Sequence, residues 1–124
     1  MSKFQLKEIQ DGNRLIAEFL GWKEQKDPTE RFFGDWFNNY GNRQTEGVKK
    51  PLIFHSDWNW LMLVVEKIEE DERFDVDILQ YGTIIQLNSN EYVIDNVAKI
   101  SFDKKIEHTY DAIVKFIKWY NKNK

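Results

Sequence analysis

The segment "WNWLMLVVEKIEE", residues 58–70, constrains the fold more than any other. Trp58, Leu61, Met62, Val65 and Ile68 follow i, i+3, i+4, i+7, i+10, which is one face of a helix. Leu63 and Val64 fall off that face, so the middle of the helix is apolar nearly all round. Such a helix is expected to be sandwiched rather than laid on a surface. Just ahead of it, Ser56 is a favoured N-cap, and Asp57 then lies in the first turn, where a carboxylate complements the helix dipole.

After the acidic run "EEDE" at 69–72, "RFDVDILQYGTIIQLNSNEYVIDNVAKISF" has β character. Phe74, Val76 and Ile78 alternate with Asp75 and Asp77. Ile84, Ile85 and Leu87, and then Tyr92, Val93 and Ile94, are rich in β-branched and aromatic types, with turns at "YGT" and "NSNE". Three strands in an antiparallel meander are expected. In "DKKIEHTYDAIVKFIKWYNKNK", Ile106, Tyr110, Ile113, Ile117 and Tyr120 form a helical stripe, with Ala112, Phe116 and Trp119 beside it. Asp103 is the expected cap, and Lys104, Lys105, Glu107, Asp111, Lys115 and Lys118 are expected to face water. Near the other end, Ile9, Leu15, Ile16, Phe19 and Leu20 predict a helix over about 13–20. It is capped by Asn13, stopped at Gly21, and preceded by a turn from residue 4 that Gly12 separates from it.

Between these parts, residues 22–55 are irregular. Gly34, Gly41, Gly47 and both prolines, Pro28 and Pro51, alternate with Phe32, Phe33, Trp36, Phe37 and Tyr40. Glycine and proline at that density mark turns, while the aromatics argue that the segment packs onto the domain. Short strands are expected around "RFFGDWF" and "PLIFH". The element order is characteristic of an α+β fold, a two- or three-layer sandwich in which a small antiparallel three-stranded sheet packs with about three helices. At 124 residues this is one domain, 1–124, large enough to hide about two-thirds of its unfolded surface.

Composition excludes several functions. The absence of cysteine removes disulfides, thiolate metal sites and a cysteine nucleophile. A net charge of −3 with scattered lysines and arginines disfavours nucleic acid as a partner. "MSKFQLKEIQDG" lacks the apolar run of a signal peptide, and Leu61–Val65 falls far short of a membrane span, so a soluble, cytoplasmic protein is expected. No phosphate loop, dinucleotide fingerprint or nucleophile elbow is present, and no catalytic residue or cofactor is assigned. His55-x-Asp57 and His108-x-x-Asp111 could form a two-histidine, two-carboxylate metal set. Asp57, however, serves the helix start, and His108 and Asp111 fall on the solvent side of the last helix, so no metal is expected. The acidic run Glu69 to Glu72, with Glu66, reads as solvated surface rather than as a mimic of phosphates. Five tryptophans are many for this length. Trp58 and Trp119 lie on apolar stripes and are expected in the core. Trp22, Trp36 and Trp60, with His55 and Asn59, are the candidate binding residues.

Three segments, "NRLIAEFLGWK", "FHSDWNWLMLVVEKIE" and "KIEHTYDAIVKFIKWYN", resemble a family of small proteins of Bacteroides-type and Flavobacterium-type bacteria and of their phages and prophages. More distantly they are similar to the phage ABA sandwich domain family. The likeness covers the first, central and last helices, about a third of the chain. Leu63 departs from it, since the family pattern usually carries proline there, and an interior proline would kink the helix. The resemblance implies an α/β sandwich and a mobile-element origin, with no activity or site residues to carry over. The expected function is that of a non-enzymatic accessory protein that binds a host or phage protein, with a homodimer as a further expected assembly. A small-molecule binder or enzyme, with a pocket lined by Trp22, Trp36 and Trp60, is the second expectation.

Overall fold

The computed structural model describes residues 5–88, 90–97 and 104–124. Three helices, α1 (Leu6–Phe19), α2 (Trp58–Glu69) and α3 (Lys105–Asn123), accompany two antiparallel sheets. One is a two-stranded ribbon of β1 (Lys23–Glu24) and β2 (Trp36–Phe37), and the other is a meander of β3 (Phe74–Leu79), β4 (Gly82–Leu87) and β5 (Glu91–Val97). The fold is α+β, with the three-stranded sheet expected from the sequence.

Strand alternation assigns the two faces of the meander. Register pairs Val76 with Ile85 and Ile85 with Ile94, and it also pairs Ile78 with Thr83 and Thr83 with Asn96. These side chains face the helices, while Asp75, Asp77 and Asp95 are exposed. Between Ile85 and Gln86 the register shifts, so that Ile94 and Tyr92 are successive partners and Val93 is the extra residue of a β-bulge. α3 covers β4 and β5, α2 lies against β3, and α1 packs on α3.

One core joins these layers. Ile16, Leu61, Val64, Ile68, Phe74, Ile85, Ile113, Phe116 and Ile117 are all buried in it. Phe74, the first residue of β3, packs edge-on against Phe116 at 5.0 Å and Trp119 at 6.0 Å, and Phe116 stacks on Tyr120 at 5.9 Å. Aromatic pairs at these separations contribute about 0.5–1.5 kcal/mol each beyond the area they bury.

Several local expectations are corrected. α1 runs unbroken through Gly12, because glycine there lets α3 approach: a Cβ would collide with the Tyr110 hydroxyl. Asn13 is therefore inside the helix and caps nothing. The N-cap of α2 is Asp57, not Ser56. Its Oδ1 accepts from the backbone N–H groups of Asn59 at 2.8 Å and Trp60 at 3.2 Å. The buried stripe of α2 is Leu61, Val64, Val65 and Ile68, rotated from the expected one, so Trp58, Met62 and Leu63 are exposed. α2 is thus covered on one side and not sandwiched, and it runs unbroken through Leu63. On α3, Glu107 and His108 are buried and Asp111 is half-buried, with Thr83 of β4 packed on His108 and Asn96 of β5 on Asp111. Asp103 lies outside the described residues. "PLIFH" forms no strand, and in "RFFGDWF" only Trp36 and Phe37 do. Among the described residues, no helix is long and apolar enough to cross a membrane.

Candidate functional site

The irregular segment is stitched into a fixed shape by one carboxylate. Asp35 is buried, and its Oδ1 accepts from the Thr45 hydroxyl at 3.0 Å and from the Gly47 N–H at 2.8 Å. The Thr45 hydroxyl oxygen in turn accepts from the Trp36 N–H at 3.0 Å. Asn38 Oδ1 closes the next turn by accepting from the N–H groups of Tyr40 and Asn42. The turn before β2 carries strain: Phe32 has φ +62°, a conformation costly for a bulky side chain. The Arg43 guanidinium lies over its ring at 4.1 Å.

Between this segment and α1 runs an open cleft of about 490 Å³. Its floor is Trp36 and Leu52, its rim is Phe33, Val48 and Pro51, and its helical wall is Gln10, Asp11, Asn13 and Arg14. Phe33 is 59% exposed and Val48 97%. The Arg14 guanidinium stacks over the Trp36 ring at 5.3 Å and donates to both oxygens of Glu24, at 2.8 and 3.3 Å. Asn13 is buried. Its Nδ2 donates to the Leu52 carbonyl at 3.0 Å and reaches His55 Nδ1 at 3.0 Å. A carbonyl can only accept, which fixes the orientation of the amide. Its Oδ1 then has no hydrogen-bond partner among the described residues.

Of the five candidate residues, only Trp22 and Trp60 are brought together. The Trp22 and Trp60 rings meet at 5.5 Å, and both touch Phe54, at 5.3 and 5.1 Å. These three rings pack against one another. Trp36 is apart from them, buried under Arg14 as the floor of the cleft. His55 is half-buried between Asn13 and the Tyr110 ring, 6.2 Å away. Burial pushes its pKa below the ordinary value. Since Asn13 Nδ2 is a donor, His55 Nδ1 accepts and the ring proton is on Nε2. Asn59 is exposed on the first turn of α2. The sequence pointed to Trp36, but it did not point to Asn13, Arg14, Asp35 or Val48. The run of glycines around Asp35, which forces turns, was the available signal.

The second histidine has a structural role. His108 Nε2 faces the Gln80 carbonyl at 3.3 Å, and Nδ1 faces the Thr83 hydroxyl at 2.8 Å. Nε2–H therefore donates to the carbonyl and Nδ1 accepts from Thr83, which also lies 3.0 Å from the Thr109 hydroxyl. Burial lowers the pKa of His108 too. Asn96 Nδ2 ties β5 to α3 through the His108 carbonyl and Asp111, which pairs with Lys115 at 2.9 Å. The two His-Asp pairs do not converge, and no cluster of three metal-ligating residues exists among the described residues.

A second cavity, of about 630 Å³, opens between the C-terminal turns of the three helices, where Phe19, Phe74, Phe116 and Tyr120 meet Lys67 and Glu70.

No protein-family model, curated protein or solved structure matches this chain.

Proposed function

We propose that this protein is a phage- or prophage-type accessory protein that acts by binding a host or phage protein, without catalysis. One observation carries the reading: Phe33 and Val48 are held out in solvent on the rim of a cleft whose shape is fixed by Asp35. Exposed apolar side chains grouped around a depression favour a binding surface over a solvated one. Their backbone is set by hydrogen bonds rather than by their own burial. The mobile-element origin rests on the resemblance of the three helical segments.

The test is site-specific photo-crosslinking in the cells that carry the gene. A benzophenone amino acid at position 33 should give one discrete heavier adduct, and the same group at exposed Asn121 should give none. Equal labelling from both positions, or none from either, would sink the proposal. An adduct at twice the mass of the chain would assign the rim to a homodimer instead.

The 630 Å³ cavity supports a second reading, a small-molecule binder. Its four aromatic walls would hold an apolar ring, with Lys67 and Glu70 at the mouth. A thermal-shift screen of nucleotides and metabolites would support it if a compound at 100 Kd raised stability by about 2.7 kcal/mol.

A further inference from the structure

We infer that Asn13 and His55 form a proton-sensitive latch, which holds the 52–55 segment on α1 while the imidazole is neutral and releases His55 when the ring takes up a proton. The latch belongs to the chain alone, whatever the neighbouring cleft holds. Asn13, buried on α1, bridges two residues far along the sequence. One N–H of its Nδ2 goes to the Leu52 carbonyl and the other to His55 Nδ1, both at 3.0 Å. An amide nitrogen can only donate. Both bonds therefore exist together only while Nδ1 carries no proton.

Protonation sets one N–H against another, and the Asn13 amide cannot adapt to it. Turned over, it would offer Oδ1 to the imidazolium. That oxygen would then face the Leu52 carbonyl, and Nδ2 would take the buried position where Oδ1 has no partner. Two buried polar groups would be unsatisfied in place of one, and each is costly. The His55 ring is only half-buried. Swinging toward water, it satisfies both ring nitrogens and leaves the Leu52 bond intact, at the loss of its edge contact with Tyr110. The segment that floors the cleft then keeps one tie to Asn13 where it had two. His108 differs in this respect. Its Nδ1 faces a hydroxyl, that of Thr83, which can rotate and accept as readily as it donates.

The charged groups around His55 are engaged elsewhere or neutral. On α1, Asp11 pairs with Lys7 and Arg14 with Glu24. On α3, the Tyr110 phenol donates to the Ile9 carbonyl and burial pushes its pKa well up, while Asp111 pairs with Lys115. On its own segment, Asp57 accepts from the N–H groups of Asn59 and Trp60. With burial lowering the pKa of His55, the latch is shut at neutral pH and opens on the acid side.

The test is NMR of the isotope-labelled full chain between about pH 8 and about pH 5, read at the histidine rings and the asparagine side-chain amides. At the upper end His55 should be the Nε2–H tautomer. On acidification it should titrate below about 6.5, and the Asn13 side-chain signals should shift with the same midpoint. His55→Gln, whose side-chain oxygen accepts from Asn13 at every pH, should leave those signals unmoved, and His108→Gln should leave their response in place. An Nδ1–H tautomer at the upper end, Asn13 signals that do not follow His55, or signals that still move in His55→Gln would overturn the latch. The first two readings use the unaltered chain, so they decide the matter even if His55→Gln does not fold.

Discussion

The hydroxyl of Tyr110 occupies the place where a side chain at Gly12 would begin, and it donates to the carbonyl of Ile9, one turn earlier on the same helix, at 3.1 Å. Gly12→Ala should therefore destabilise the protein. The gain in helix propensity is about 1 kcal/mol, whereas overpacking costs about 1–3 kcal/mol, and the hydrogen bond holds the tyrosine in place. Urea melts should show that Tyr110→Phe, which removes the colliding oxygen, makes Gly12→Ala less costly. Strict additivity of the two substitutions would refute the collision.

Capping of α2 separates two adjacent residues. Asp57→Ala removes the acceptor for two backbone N–H groups and should cost about 1 kcal/mol. Ser56→Ala should cost less than about 0.5 kcal/mol, as at an ordinary surface position. Equilibrium unfolding of both variants checks the assignment, and equal losses would contradict it.

Asp35 should dominate the order of the irregular segment. Asp35→Ala leaves the Thr45 hydroxyl and the Gly47 N–H without their acceptor, at a cost of about 1–3 kcal/mol. The Gly47 amide should then exchange with solvent much faster, while amides of β4 keep their protection. Asp35→Asn retains an accepting oxygen and should lie between the two.

Both histidines predict acid sensitivity. Burial lowers each folded-state pKa below the unfolded value of about 6.5. The unfolded chain consequently binds protons first as pH falls. The histidine contribution is fully present above about pH 7 and is lost progressively below about 6.5, down to the folded pKa values. Unfolding free energies at pH 8, 6.5 and 5.5 should fall in that order. His108→Gln should flatten the profile, and a profile that rises toward acid would invert the sign and refute it.

What the sequence made legible was periodicity. The alternation of Phe74, Val76 and Ile78 with aspartates marks β3, and the spacing of Tyr110, Ile113 and Ile117 marks α3. Periodicity did not fix rotation. On α2 six consecutive apolar residues, Trp60–Val65, admit two stripes, and only the position of β3 selects Val64 over Trp58. Polar burial was invisible for a related reason. His108 and Glu107 look like solvent positions on a helical wheel, yet Thr83 and Gln80, about 25 residues away in sequence, are what make the His108 site habitable. The cleft was legible only as a density of glycines, since its walls join Arg14 to Trp36 and Asn13 to Leu52 across long intervals of chain.

Both sides of that cleft are set in advance. α1 is held against α3 by the contact of Gly12 with Tyr110, and the facing turns are held by Asp35. A protein bound there, as proposed, would meet a surface already in its final form and would not have to order a loop, which is ordinarily one of the larger costs of association. Affinity should then follow complementarity of shape and charge, improve mainly through slower departure, and leave the backbone of the free and bound protein nearly superimposable.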